Sequence, residues 1–289
     1  MDKRIAFVVN PNSGPKKKEN IVDVIEKTMS GKTPFDIFVW KDKNNFEEIR
    51  QQITSGKYTT VVAVGGDGTV NEVAKNVANT NIVLGIIPRG SGNGLARTLG
   101  IPQKAVEAIK RVETGTVKTI DHGFINGRFF SCAAGIGFDA HICELFASSK
   151  TRGLMSYVTI SLKQFLSYRA KEYTIQTNNE TFKTKAFLIA FANAGQYGND
   201  FYIAPQAKMD DGLLDIVILK PFNVFSACDI FVKVLSKKAH KAKSIVTFSA
   251  KEFKIKNESS TAIHFDGEPG VVESEIEVRI NPQSLKVIC

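Results

Sequence analysis

The 289-residue chain is 43% hydrophobic, 23% charged and 9% aromatic, which excludes a disordered polymer, a collagen-like repeat and a small disulfide scaffold and predicts two ordinary domains. No apolar run approaches the roughly 18–20 residues of a membrane span. The formal charge is +9, and residues 149–243 hold 14 basic against 7 acidic side chains, so the excess suggests a polyanionic partner, nucleic acid or anionic lipid, beside the plainer alternative of solubility.

In chain order, residues 4–10 (RIAFVVN) predict a strand that ends in an Asn-Pro-Asn-Ser-Gly turn. Ile21, Val24, Ile25 and Met29 mark a helix by their spacing. A strand at 35–40, a helix at 46–53 and a strand at 58–64 follow, the last running into Gly65-Gly66-Asp67-Gly68. A helix is expected at 71–78, a strand at 82–88 and a helix at 105–111. This alternation predicts a parallel sheet wound with helices.

Beyond residue 122 the pattern turns to strands, expected at 120–125, 128–133, 173–177, 183–192, 213–219, 250–256, 262–266 and 275–280. Two helical patterns interrupt them, at 154–168 and 222–235. The expected architecture is therefore an N-terminal Rossmann-like α/β nucleotide-binding domain (1–122) and a C-terminal β-sandwich-like domain with inserted helices (123–289). Whether the last residues return to the first domain is left open. The N-terminal nine residues lack the apolar core and cleavage site of a secretory leader. Cysteines 132, 143, 228 and 289 lack paired spacing and read as reduced thiols, so a cytoplasmic protein is expected. His122, His141, His240 and His264 have no metal-ligand spacing.

Chemistry concentrates in three loops at strand ends. Gly65-Gly66-Asp67-Gly68-Thr69-Val70-Asn71-Glu72 joins an apolar strand to a helix, where glycines let backbone N–H groups reach a phosphate and the helix N-terminus favours an anion. Asp67 would repel a bare phosphate, which implies a metal ion or a hydroxyl to deprotonate. A tight turn capped by the Asp is the plainer alternative, which three glycines around one Asp disfavour. Asn10-Pro11-Asn12-Ser13-Gly14, followed by Lys16–Lys18, and Pro88-Arg89-Gly90-Ser91-Gly92-Asn93-Gly94 fall at the same edge of the expected sheet. Neither GxxxxGK[ST] nor GxGxxG is present. No sequence-specific nucleic-acid module is recognisable. Asp210-Asp211-Gly212 and Asp266-Gly267-Glu268-Pro269-Gly270 are acidic turns, each equally at home as a simple reversal of the chain.

Asn10-Pro-x-Ser-Gly, Gly65-Gly-Asp-Gly-Thr-x-Asn-Glu and Pro88-x-Gly-Ser-Gly-Asn, in this order, resemble the diacylglycerol kinase catalytic family, which includes sphingosine, ceramide and bacterial lipid kinases. The resemblance continues through Asp210–Asp215 and Phe265-Asp266-Gly267-Glu268. It implies ATP-dependent phosphorylation of a lipid hydroxyl in a cleft between a nucleotide domain and a sandwich domain. ATP would be held by Asn10, Pro11, Asn12, Ser13, Gly14, Gly65, Gly66, Asp67, Gly68, Thr69, Val70, Asn71 and Glu72, with Ser91 near it and Trp40 facing it. Asp211 would ligate Mg2+ beside the backbone carbonyls of Lys208 and Leu213. Glu268 matches the proton acceptor, Asp266 competes for that role, and Asp67 would orient the metal or the acceptor hydroxyl. The third loop reads Ser-Gly-Asn where many bacterial members read Gly-Thr-x-Asn-Asp-Phe-Ala-Arg, which leaves the lipid, diacylglycerol or sphingoid in type, undecided.

Phosphoryl transfer needs a phosphate cradle, a cation and an aligned hydroxyl, and these residue types supply them. An NAD kinase-like enzyme and a non-catalytic anionic-lipid binder are the alternatives. The basic excess would place the protein transiently on a membrane through the helices at 154–168 and 222–235. There Lys150, Arg152, Lys163, Arg169 and Lys171, and Lys233, Lys237, Lys238, Lys241 and Lys243, surround apolar stripes. Phe138, Phe165, Phe191 and Phe201 are candidates to line a lipid pocket. Oligomeric state is not legible.

Overall fold

The computed structural model describes residues 3–14, 20–149, 153–177, 180–256, 261–272 and 275–289. Lys16–Lys18, Lys150 and Arg152 lie outside them. Two compact units emerge, Met1–Ile120 with Gln283–Cys289, and Asp121–Pro282.

In the first unit β1 (Ile5–Val9), α1 (Ile21–Met29), β2 (Phe35–Val39), α2 (Lys43–Ile53), β3 (Thr60–Gly65), α3 (Asp67–Val77), β4 (Val83–Pro88), α4 (Gly94–Thr98) and α5 (Ala105–Thr114) follow one another. The strands pair in parallel in the order β2-β1-β3-β4, with Val9 opposite both Val39 and Val64, and Gly65 opposite Pro88. β1 and β3 are buried throughout, as a parallel strand covered on both faces must be. Asn20 and Asp42 cap α1 and α2 by accepting the N–H groups of Val22 and Asn45. A side chain at Gly85 would stand 2.9 Å from Val62, so glycine there admits the close approach of α5 through Val112. Val287, near the chain end, pairs in parallel with Leu84.

The chain leaves this unit along β5 (Val117–Ile125) and continues through β6 (Arg128–Phe130), β7 (Ala133–Gly137), α6 (Phe138–Ser148), α7 (Leu154–Phe165), β8 (Lys171–Gln176), β9 (Thr181–Ala186) and β10 (Leu188–Ala192). Then come β11 (Leu214–Leu219), α8 (Val224–Leu235), a 3-10 turn at Ala239–Lys241, β12 (Ile245–Ala250), β13 (Glu252–Lys256), β14 (Thr261–Phe265), β15 (Glu268–Val272) and β16 (Glu275–Ile288). Within the second unit the first part of β16, β13, β8 and β9 form one antiparallel sheet, and β12-β11-β10-β7-β14-β15 form another. Their facing side chains make a closed core that includes Tyr173, Phe191, Ile216, Phe253 and Ile263. The outer face of the six-stranded sheet carries a separate cluster with Ala190, Val217, Ile230 and Val234, against which Phe138, Phe165 and Phe222 pack. This is the α/β plus β-sandwich architecture that the sequence predicts.

Several elements differ from expectation for a common reason. The single strand expected at 183–192 is two, β9 and β10, in different sheets; the chain changes sheet at Phe187. It does so again at Lys251, between β12 and β13. A strand that switches sheets at a sandwich corner keeps its alternation, so no turn residue marks the change. Among the described residues three α-helices rather than two interrupt the second unit. α6 escaped notice because FDAHICELFAS follows β7 without a polar break, the reversal being made by Gly137 at φ +98°. Phe191, expected at a lipid pocket, is fully buried in the core between the sheets and packs on Phe253.

Candidate active site

The parallel register carries the ends of β1, β3 and β4 to one edge, where the three loops interlock. Asn10 N–H donates to Val64 O (3.0 Å), and its side-chain amide donates to Thr69 Oγ1 (3.0 Å). Asn10 Oδ1 accepts from Asn12 N–H (3.0 Å), and Ser13 N–H returns to Asn10 O. Arg89 N–H donates to Gly65 O (2.7 Å), which brings the third loop against the second. A Cβ on Gly90 would lie 2.7 Å from the Cα of Gly66 and 2.8 Å from Asn93 Oδ1, so the two backbones touch where any side chain would separate them.

Asp67 is the tie between these loops. Its carboxylate accepts from Asn93 N–H (2.8 Å) and Gly94 N–H (2.7 Å), capping α4 from outside that helix. Asn93 sits in the left-handed region at φ +51° and closes its own loop through Gly90. The N-cap of α3 is Gly66, which has no side chain to offer the first-turn N–H groups. That leaves the helix end suited to an anion. Gly65, Gly66, Gly68 and Thr69 are thus gathered with Asn10–Gly14 and Ser91. Val70 turns into the core and Asn71 is buried; Glu72, one turn on, pairs with Lys75 (3.3 Å). Trp40, half-buried just after β2, donates its N–H to Val9 O (2.8 Å) and stacks on Phe46 at 4.3 Å.

Arg89 belongs to this set although sequence reasoning passed over it. Its guanidinium lies on Gly14, where a Cβ would stand 3.4 Å from Nε and Nη2, and Nε donates to Ser13 O at 3.4 Å. Burial lowers its pKa from the usual arginine value. Among the described residues no carboxylate forms an ion pair with it. A part-buried guanidinium set against the first loop is suited to an anionic ligand, and its proximity to Gly14 is the signal that reveals it.

In the second unit the two acidic turns are built differently. Asp121, fully buried, donates its N–H to Met209 O (2.6 Å) and accepts Gly212 N–H (2.7 Å), holding residues 209–212 in place. Gly212 takes φ +70°. The exposed Asp211 accepts Leu213 N–H (3.1 Å), and Lys208 and Leu213 flank it in the chain. Burial raises the pKa of the half-buried Asp215, opposed by its hydrogen bond from Ser249 and aided by the charge of Asp211. Among the described residues no three His, Cys, Asp or Glu side chains gather as a metal site. One carboxylate with carbonyls and water nevertheless fits Mg2+, which keeps several waters.

Asp266 and Gly267, at φ +48° and +83°, form the two-residue turn between β14 and β15, the type that Asp-Gly favours. The carboxylate of Asp266 accepts from Ser131 N–H (2.6 Å), Ser131 Oγ (2.8 Å), Cys132 N–H (2.8 Å) and Ala133 N–H (3.0 Å). Glu268 follows at the first position of β15 and is exposed. Behind the turn lies a buried cluster absent from the sequence reading. Asp139 Oδ2 meets His264 Nε2 (3.0 Å) and the hydroxyl of Tyr197 (2.9 Å). Gly135 is required there, since a Cβ would stand 2.5 Å from Asp139 Oδ2. The thiol of the neighbouring Cys143 is pushed up to about 12 by burial first and by the charges of Asp139 and Glu268, against a hydrogen bond from Tyr157. That thiol is no nucleophile.

A wound parallel sheet with three interlocked glycine-bearing loops at one edge, in one chain with an antiparallel sandwich bearing acidic turns, is the architecture of the NAD kinase-like fold class. The chain belongs to the diacylglycerol kinase and YegS family of lipid kinases: residues 4–125 match the Diacylglycerol kinase catalytic domain, and residues 132–289 match the YegS C-terminal NAD kinase beta sandwich-like domain. Diacylglycerol kinase of Bacillus subtilis is 26% identical over 93% of this chain and 90% of its own length. The crystal structure of a diacylglycerol kinase from Bacillus anthracis superposes with a TM-score of 0.72 at 21% identity, over 99% of this chain and 96% of its own. An NAD kinase from Archaeoglobus fulgidus in complex with ATP shares the fold alone, with a TM-score of 0.55 at 13% identity over 99% and 93% of the two chains. By family the protein is an ATP-dependent lipid kinase.

Proposed function

We propose that this enzyme transfers the γ-phosphate of ATP to the hydroxyl of diacylglycerol or a sphingoid-type lipid. The lipid oxygen forms the new O–P bond, the bond from the γ-phosphorus to the β–γ bridging oxygen breaks, and the hydroxyl proton passes to Glu268. Asn10, Pro11, Asn12, Ser13 and Gly14, with Gly65–Glu72 and Ser91, hold the nucleotide through backbone N–H groups, and Trp40 borders it. Val70 contributes main chain only, its side chain being buried. Asp211 and the carbonyls of Lys208 and Leu213 hold Mg2+, which supplies charge neutralisation when bound. Asp266 positions Glu268, and Asp67 holds the third loop. The enzyme works transiently at the membrane surface, with the basic residues around α7 and α8 toward it, and otherwise in the cytoplasm.

The single observation that carries this reading is the interlocked cradle of residues 10–14, 65–69 and 89–94 in a member of a lipid-kinase family. Transfer of label from γ-labelled ATP in mixed micelles, with and without EDTA, tests it on diacylglycerol, sphingosine, ceramide, monoacylglycerol and phosphatidylglycerol, with NAD as the soluble control. Magnesium-dependent label in diacylglycerol or sphingosine is expected. Label in NAD alone overturns the lipid assignment.

Arg89 belongs to the same reading as a phosphate ligand. Arg89→Gln is expected to weaken ATP binding about 10–100-fold, the loss of one or two charge-assisted hydrogen bonds, while adenosine binds as before. Equal loss for both ligands in a nucleotide titration would place Arg89 outside the phosphate site.

A further inference from the structure

Of thirteen exposed large apolar side chains among the described residues, nine lie on α7 and α8 or at the end of α7, so the exposure is local rather than scattered. On α7 they are Met155 (76% exposed), Val158, Leu162 and Leu166, three and four residues apart on one stripe. On α8 they are Val224, Phe225 (92%), Phe231, Val232 and Leu235, with Cys228 exposed between them. Yet both helices already bury an apolar face. Phe165 and Phe222 pack on Phe187 at 5.8 and 5.2 Å, and Ile230 and Val234 are buried in the same cluster. The stripe expected for residues 222–235 therefore divides, with Phe222, Ile230 and Val234 turned inward, Phe225 and Leu235 turned outward, and Phe231 exposed on one side while its ring meets Phe201 at 6.2 Å on the other. α8 covers the outer face of the six-stranded sheet, and α7 packs on α6 through Tyr157 against Phe146 (5.6 Å) and Phe165 against Phe138 (6.2 Å), so the exposed apolar stripes lie on the sides of these helices turned from those partners.

A surface helix ordinarily turns one apolar stripe to the core and polar residues to water, so a second apolar stripe left exposed marks an interaction surface. The charge around this one selects the partner. From residue 154 to 169 there is no acid, while Lys163 and Arg169 are exposed. On α8 the lone carboxylate, Asp229, is taken by Lys233 at 2.7 Å. Exposed Lys220, Lys237, Lys238 and Lys241 flank it. Apolar stripes rimmed by cations fit the boundary between headgroups and acyl chains of an anionic bilayer.

We propose that α7 and α8 insert these outward stripes into the surface of an anionic membrane, so that apolar burial, and not charge alone, holds the enzyme where its substrate lies. The inference deepens the lipid-kinase reading and rests on it for the choice of a lipid surface. Its test is sedimentation of the full chain with phosphatidylcholine vesicles, plain or containing phosphatidylglycerol. The variants are Leu162→Ser/Phe225→Ser/Phe231→Ser and Lys237→Glu/Lys238→Glu/Lys241→Glu. All the substituted positions are exposed, and equal thermal melts check the fold.

The apolar variant is expected to lose about tenfold or more of its partition to both vesicle types. The charge variant should lose it on anionic vesicles alone. Phosphorylation of a short-chain dispersed lipid should be unchanged in the apolar variant, while turnover of vesicle lipid falls with binding. Undiminished vesicle binding by the apolar variant overturns the proposal. So does a wild-type dimer in light scattering that binds no vesicles and becomes monomeric in that variant, because the stripes would then join two copies. Wild-type protein that docks through these residues but phosphorylates no lipid refutes the functional reading and upholds the docking surface.

Discussion

Glu268→Gln is expected to lower the rate of lipid phosphorylation by about 10²–10⁴-fold, the usual contribution of a general base, with ATP affinity and thermal stability unchanged. The expectation follows from the contrast between two carboxylates two residues apart. Asp266 spends both oxygens on four donors from Ser131, Cys132 and Ala133, and the left-handed backbone of the turn aims it there. Glu268 stands exposed at the head of β15, free to meet a substrate hydroxyl. Asp266→Asn places an amide NH2 against at least one N–H donor. It should cost about 1–3 kcal/mol of stability, the penalty for an unpaired buried donor, seen as a lower melting temperature. If Glu268→Gln keeps its full rate while Asp266→Asn loses turnover at an unchanged melting temperature, the roles are reversed.

The second large effect is on the nucleotide. Asp67→Ala should weaken ATP binding about 10–100-fold, because one carboxylate holds the N–H groups of Asn93 and Gly94 at 2.8 and 2.7 Å. Hydrogen bonds to a charged group are worth roughly 1.5–3 kcal/mol each. Without them the Gly90–Gly94 loop loses its tie to α3. Asp67→Asn retains one acceptor oxygen and should fall between the two. Titration with a fluorescent ATP analogue reads this directly. A role in orienting metal or hydroxyl would instead reduce the turnover number at unchanged affinity, and that result would displace the tethering account.

Much of this site is legible in the sequence. Strand and helix alternation through residue 114 predicts a parallel sheet, and a parallel sheet sends every strand-to-helix loop to one edge. Residues 10–14, 65–72 and 88–94 could therefore be grouped from their places in the chain. The Asp-Asp-Gly and Asp-Gly-Glu turns were visible as turns because Asp-Gly supplies the backbone geometry that turns need. The family motifs then identified the chemistry those loops share. All of this is local information, carried by spacing and by residues with restricted or permissive backbones.

Tertiary structure alone decided how these parts are divided in labour. The pairing of Asp266 with Ser131 spans 135 residues and that of His264 with Asp139 spans 125; no period in the sequence records either. Arg89 looked like a loop residue until its guanidinium was found on Gly14. The sheet changes at Phe187 and Lys251 leave alternation intact, so they were invisible. On α8 the pattern showed an apolar helix but not which apolar residues the sheet would cover. Composition and periodicity report what each residue prefers; which preferences are satisfied depends on what packs against them, and on α8 it is Phe225 that is left almost wholly facing water.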